Sequence, residues 1–177
     1  MKKDNNIDLD SFISKMQKQD FLFLGLFKGL FIMLLLLLVL YSLVFVFKTE
    51  LRYQLAGTCY VISFSLLAYY IWKYYMIYKK VNYSDTVKKV LQDAEARYRK
   101  FKFKRDNGFG LILAVLLINA ATLLMILETW NIIAIIAISF VFWGLMTCGF
   151  LTGLWWWKKD SKPIWLAAKA LLKELEE

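Results

Sequence analysis

The chain has 177 residues, 60% of them hydrophobic and 21% charged, with a net charge of +9 and a mean hydropathy of +0.50. Soluble domains are about 45 to 50% apolar, so this composition argues against one water-soluble domain and for a chain with membrane segments. The sequence has no His, which excludes His-based acid–base catalysis and Ser-His-Asp arrangements.

Residues 1–20 are polar but place Leu9, Phe12, Ile13 and Met16 on one face of a short helix. The apolar run that follows, 21–47, is longer than a signal-peptide core and lacks an early small-residue cleavage site, so the first span is expected to be retained. Further apolar blocks cover 55–78, 109–127 and 132–157. Each offers about 19 or more residues, enough at 1.5 Å rise per residue for a hydrocarbon core of roughly 30 Å. Four transmembrane helices are expected.

Eleven of the 23 Lys and Arg residues fall between Lys73 and Arg105, and five more lie in each of the stretches 1–28 and 158–177. The connection 48–54 has two and the connection 128–131 none. By the positive-inside rule both tails and the central segment face the cytoplasm, giving two hairpins with N-in, C-in orientation. Trp130 and Tyr53 suit an outer aromatic belt, and Tyr69, Tyr70, Trp72, Tyr74, Tyr75, Tyr78 and 155–157 an inner one.

Helix association in lipid needs close approach or internal hydrogen bonds. Gly149 with Gly153, on a face extended by Gly144 and Cys148, is expected at a helix contact in the fourth span, and Gly25 with Gly29 is a weaker pair. Asn119 is the strong polar group of the third span and calls for a packing partner, whereas the hydroxyl residues can bond to their own backbone. Cys59 and Cys148 lie in spans without His or a second Cys nearby and read as packing residues. No Asp, Glu or Arg sits in the middle of a span, which disfavours proton-coupled transport.

In the central segment Ser84 reads as an N-cap for a helix over 85–104, with Val87, Val90, Leu91, Ala94, Tyr98 and Phe101 on one face. Val87, Leu91, Ala94, Arg97, Tyr98, Arg99, Lys100 and Phe101 form the expected surface for an acidic protein partner, for a second copy of the chain or for anionic headgroups. Nucleic acid is disfavoured, because topology already requires these charges. Pro163 opens a C-terminal helix with an apolar stripe at Ile164, Ala168, Leu171, Leu172 and Leu175. Its acidic tip, Glu174, Glu176 and Glu177, is placed to pair with the basic arm, so that the three cytoplasmic elements share a small core.

The organisation is therefore an all-α polytopic membrane protein: a cytoplasmic segment 1–20, hairpins 21–78 and 109–157, a basic linker helix 79–108 and a C-terminal helix 158–177. No phosphate loop, HExxH, CxxC pair or nucleophile elbow is present, so no catalytic residue, metal or cofactor is assigned and the chain is read as a non-enzyme.

The order of two spans, the linker Val81-Asn-Tyr-Ser-Asp-Thr-Val-Lys-Lys-Val-Leu leading into Arg97-Tyr-Arg-Lys-Phe-Lys-Phe, two more spans and the closing Leu172-Lys-Glu-Leu-Glu-Glu resembles bacterial four-span proteins encoded beside extracytoplasmic-function sigma factors. The resemblance implies an inner-membrane regulator whose cytoplasmic elements hold a sigma factor. A small oligomeric pore or stress and defence effector, a small transporter, and a membrane assembly subunit are the alternatives that the residues leave open.

Overall fold

The structure is a computed structural model and describes residues 9–100, 106, 108–126 and 132–175. Six α-helices account for nearly all of them: α1 (Leu9–Val46), α2 (Leu51–Lys79), α3 (Val87–Tyr98), α4 (Gly108–Ile126), α5 (Ile132–Trp156) and α6 (Lys162–Glu174). No strand occurs among the described residues. Four helical runs are long and apolar enough to cross a membrane: α1, α2, α4, and a continuous run of 40 residues, Ile135–Glu174.

Three boundaries differ from the sequence reading. The expected short N-terminal helix and the first span are one helix of 38 residues, roughly 57 Å long, because nothing between Met16 and Gly25 breaks the backbone. Pro163 does not separate the fourth span from the C-terminal helix. A proline ring meets the carbonyl four residues back, here that of Lys159, and the chain accommodates it by widening Trp157–Ser161 into a π-turn. The N–H of Lys162 then donates to the carbonyl of Trp157, five residues back.

The third difference concerns α3, whose N-cap is Thr86 rather than Ser84. Asn82 explains the shift: its Oδ1 accepts from the Ser84 N–H at 3.0 Å and its Nδ2 donates to Asp85 Oδ1 at 3.2 Å. These bonds hold 82–85 in a side-chain-braced turn, and the helix begins after it. At its other end α3 is capped by Arg99 instead of running to Lys104. Lys104 lies outside the described residues, as do Phe101, Arg105, Glu128, Trp130, Glu176 and Glu177.

The chain divides into two compact units. A polar unit joins Met1–Phe27, Tyr74–Lys100 and Gly153–Glu177, and an apolar unit joins Lys28–Lys73 with Phe101–Thr152. The core of the polar unit comes from three helices: Phe12 and Met16 of α1, Val90, Leu91, Ala94 and Tyr98 of α3, and Ile164, Ala168 and Leu172 of α6. The spacing of these residues, three or four apart, is what one buried helix face requires.

The core of the apolar unit gathers Leu34 and Phe45 of α1, Ala56, Tyr60, Phe64 and Ala68 of α2, and Ala121 of α4. Close approach uses small residues. A Cβ on Gly57 would stand 2.5 Å from the Phe45 Cβ, a Cβ on Gly110 would collide with the Tyr70 hydroxyl, and Ala114 and Ala121 are fully buried. Hydrogen bonds cross between α2 and α4: Ser63 Oγ donates to the Ala114 carbonyl at 3.0 Å, and the Tyr60 and Thr122 hydroxyls lie 2.8 Å apart.

Gly149 and Gly153 do not have the helix contact expected of them. Neither they nor Gly144 would place a Cβ within 4 Å of another atom, and no residue of α5 is buried among those described. The small residues that bring helices together are on α2 and α4, where aromatic rings fill the space beside them. Asn119 is half-buried, and the hydrogen bonds between helices run through Ser63 and Tyr60 instead. Ser42, Thr58 and Thr147 donate to the carbonyl four residues back in their own helices, at 2.7 to 2.8 Å.

Candidate functional site

In the polar unit an acid occupies an apolar register. Phe12, Met16 and Asp20 follow one another at four-residue intervals on α1, so they share a face, and Asp20 is buried with the two hydrophobic residues. Across from it α3 supplies Arg97, the residue beside the buried Tyr98. The Asp20 and Arg97 side chains are only 6% and 3% exposed. Arg97 Nη2 donates to Asp20 Oδ2 at 2.9 Å and lies 3.8 Å from the Met16 sulfur.

Two tyrosines complete the shell of the carboxylate. Tyr98 donates its hydroxyl to Asp20 Oδ1, and Tyr83, in the segment before α3, donates to Oδ2. The Trp157 indole N–H donates to the Tyr98 backbone carbonyl at 3.0 Å, which ties in the π-turn. One carboxylate thus collects α1, the 80–86 connection and α3, with the start of the C-terminal segment one bond away. Both its oxygens are used, as a buried charge requires. Arg97 Nε, in contrast, is buried without a hydrogen-bond partner.

The tyrosines are held neutral. Burial pushes the Tyr98 hydroxyl well above its ordinary pKa, and the adjacent Asp20 charge and hydrogen bond add to the rise. Tyr83 is raised by burial first and then by the Asp20 hydrogen bond and charge. Phenols in this state serve as fixed donors to the carboxylate. Around them is an aromatic cluster centred on Phe23, whose ring centroid lies 5.3 Å from Tyr78, 5.9 Å from Trp156 and 6.3 Å from Tyr98. Tyr78 and Trp156 were expected in an interfacial belt. Both rings pack on Phe23, Tyr78 half-buried and Trp156 still exposed, and Tyr69, Trp72 and Trp155 are exposed as well.

The surface expected for a partner is changed by this arrangement. Leu91, Ala94 and Tyr98 are at most 1% exposed, and the Arg97 side chain is closed in by Asp20, so these four are interior residues of the unit. They are buried because α1 and α6 supply apolar faces of matching period. Val87, Arg99 and Lys100 are exposed, and Phe101 lies outside the described residues. Every described Lys and Arg of the polar unit except Arg97 is exposed, so its exterior is basic.

Asp20 escaped the sequence reading, although the signal was present: it extends the stripe Phe12–Met16 by one further turn as a lone charge. Among the described residues no group of three or more His, Cys, Asp or Glu side chains is placed to hold a metal ion. Comparison of the chain with protein-family models, with curated proteins and with solved structures gives no match.

Proposed function

We propose that the chain is a non-enzymatic bacterial inner-membrane regulator, anchored by two helical hairpins with both termini inside, whose amphipathic cytoplasmic helices hold an acidic protein at the membrane. The observation that carries this reading is the polar unit itself. Its interior is closed by Asp20, Arg97 and Tyr98, and its exterior carries the exposed cations of all three polar segments. A chain that only needed a topology signal would not require three such segments folded around one core. The resemblance of the linker and layout to proteins encoded beside extracytoplasmic-function sigma factors names the class of partner.

The hairpin layout is supported by ring contacts in which α1 positions fall as α2 positions rise, from Tyr41 with Tyr60 to Phe31 with Trp72. The test is retention of a purified extracytoplasmic-function sigma factor from the same cell by the chain in anionic nanodiscs. Retention that is lost when Arg99 and Lys100 are reversed to Glu supports the reading, and no retention by the unaltered chain overturns it. A second reading, an oligomeric pore, is favoured by α5, which has no buried residue among those described in a single chain. Its mark would be a ring that conducts ions in planar bilayers.

A further inference from the structure

The helices of the polar unit are not held alike. Asp20 of α1 accepts from Arg97 and Tyr98 of α3 and from Tyr83 in the connection before it, so these hydrogen bonds must all break before α1 parts from α3. Bonds to a charged group are each worth more than neutral ones. None of those three joins α6. That helix packs along α3 and is seated through an apolar stripe, Ile164, Ala168 and Leu172, which enters the same core as Val90, Leu91 and Ala94.

The two ends of α6 differ as well. Its root is the π-turn Trp157–Ser161, where Pro163 supplies no N–H and leaves the turn one backbone hydrogen bond short. A segment with fewer internal bonds bends at lower cost than regular helix, which is what a hinge requires. The Trp157 indole N–H donates to the Tyr98 carbonyl at 3.0 Å and pins that root to the end of α3. Along the later turns an open groove of about 520 Å³ runs between the two helices, with Gln92 and Glu95 on one side and Leu166, Ala170 and Leu172 on the other. Leu172, the last residue of the buried stripe, therefore borders open space.

We infer that α6 is a latch on α3: it swings at the π-turn and opens while the Asp20 cluster stays closed, which uncovers the apolar face of Val90, Leu91 and Ala94. Access to that face is then gated within the chain itself. The gate lies inside the polar unit and needs no particular partner. Its open state has a signature, because a released helix of 13 residues is marginal in water and loses its own amide protection.

The experiment is hydrogen-exchange mass spectrometry of the unaltered chain in nanodiscs, resolved to overlapping peptides across 162–174 and 88–95. The α6 peptides are expected to exchange together, about tenfold or more faster than those of α3. Trp157→Phe keeps a ring but removes the indole N–H, and the loss of one hydrogen bond should speed α6 by a further factor of about two to ten with 88–95 unchanged. Equal rates in α6 and α3 overturn the latch, because the unit then opens only as a whole. Protection that rises steadily from Glu174 to Lys162 overturns it too, since that pattern is fraying from one end. A Trp157→Phe chain whose α6 exchanges at the original rate removes the hinge and with it the latch.

Discussion

Replacing Asp20 with Asn keeps nearly every heavy atom in place and removes one charge, which isolates what the carboxylate does for the polar unit. Asp20 accepts from Arg97, Tyr98 and Tyr83 through both oxygens, with the two charged side chains 6% and 3% exposed. An amide offers one acceptor oxygen and one donor group, so either Tyr98, or Tyr83 together with Arg97, loses its acceptor. Removing one member of a buried ion pair costs about 3–5 kcal/mol, because the remaining charge is left uncompensated. At about 1.4 kcal/mol per decade this corresponds to roughly a hundred- to several-thousand-fold faster hydrogen exchange of amides protected by the unit. The assay is exchange mass spectrometry of the chain in nanodiscs, read on peptides covering 88–98, with 60–68 of α2 as the internal control. An acceleration below tenfold would refute the argument. The companion variant, Asp20→Leu with Arg97→Met, Tyr83→Phe and Tyr98→Phe, removes every polar member together and is expected to recover most of the protection, since apolar replacement of a buried pair is often neutral.

The same site sets an alkaline limit. Tyr98 and Tyr83 keep their protons in the folded unit, whereas in the unfolded chain a tyrosine ionises near pH 10. Their contribution is complete below about pH 10 and declines above it, by about 1.4 kcal/mol per pH unit for Tyr98. Thermal unfolding from pH 8 to 11 checks this: Tyr98→Phe should flatten the decline, and stability rising with pH would contradict it. In the apolar unit, Gly57→Val drives a Cβ into Phe45 and is expected to cost about 1–3 kcal/mol, while Gly149→Ala, with open space around it, should leave the melting temperature of the solubilised protein unchanged. Ser63→Ala removes one hydrogen bond to α4 and should cost about 0.6 kcal/mol and at most about 1.7, measured by reversible unfolding in detergent.

The spans were legible because twenty apolar residues in a row have few alternatives in water, and composition alone carries that signal. The periodic residues of the central and C-terminal segments, from Val90 to Tyr98 and from Ile164 to Leu172, were equally visible, since a buried helix face writes itself every three or four positions. What covers such a face is not local information. The sequence offers Leu91, Ala94 and Tyr98 both a core shared by the three polar elements and a surface for a partner, and only Phe12, Met16 and Ala168 standing beside them decide for the core. The Asp20–Arg97 pair joins residues 77 positions apart, a separation no periodicity reaches. Glycine spacing misled for a related reason: Gly149 and Gly153 have the interval of a packing motif, but contact depends on which face meets a neighbour. Gly57 and Gly110 lack that interval and stand against Phe45 and Tyr70. At Pro163 the ring explained a break in hydrogen bonding, yet a π-turn absorbed it without ending the helical run.

The central claim is that three polar segments from distant parts of the chain stand together on the cytoplasmic side. Its most direct test is thiol labelling in a Cys59→Ser, Cys148→Ser background with a single cysteine introduced by Lys15→Cys, Lys89→Cys or Lys173→Cys, each at an exposed position of a different segment. A membrane-impermeant maleimide should modify all three in inverted vesicles and none in right-side-out vesicles. Labelling of any one of them from the outside would contradict the account.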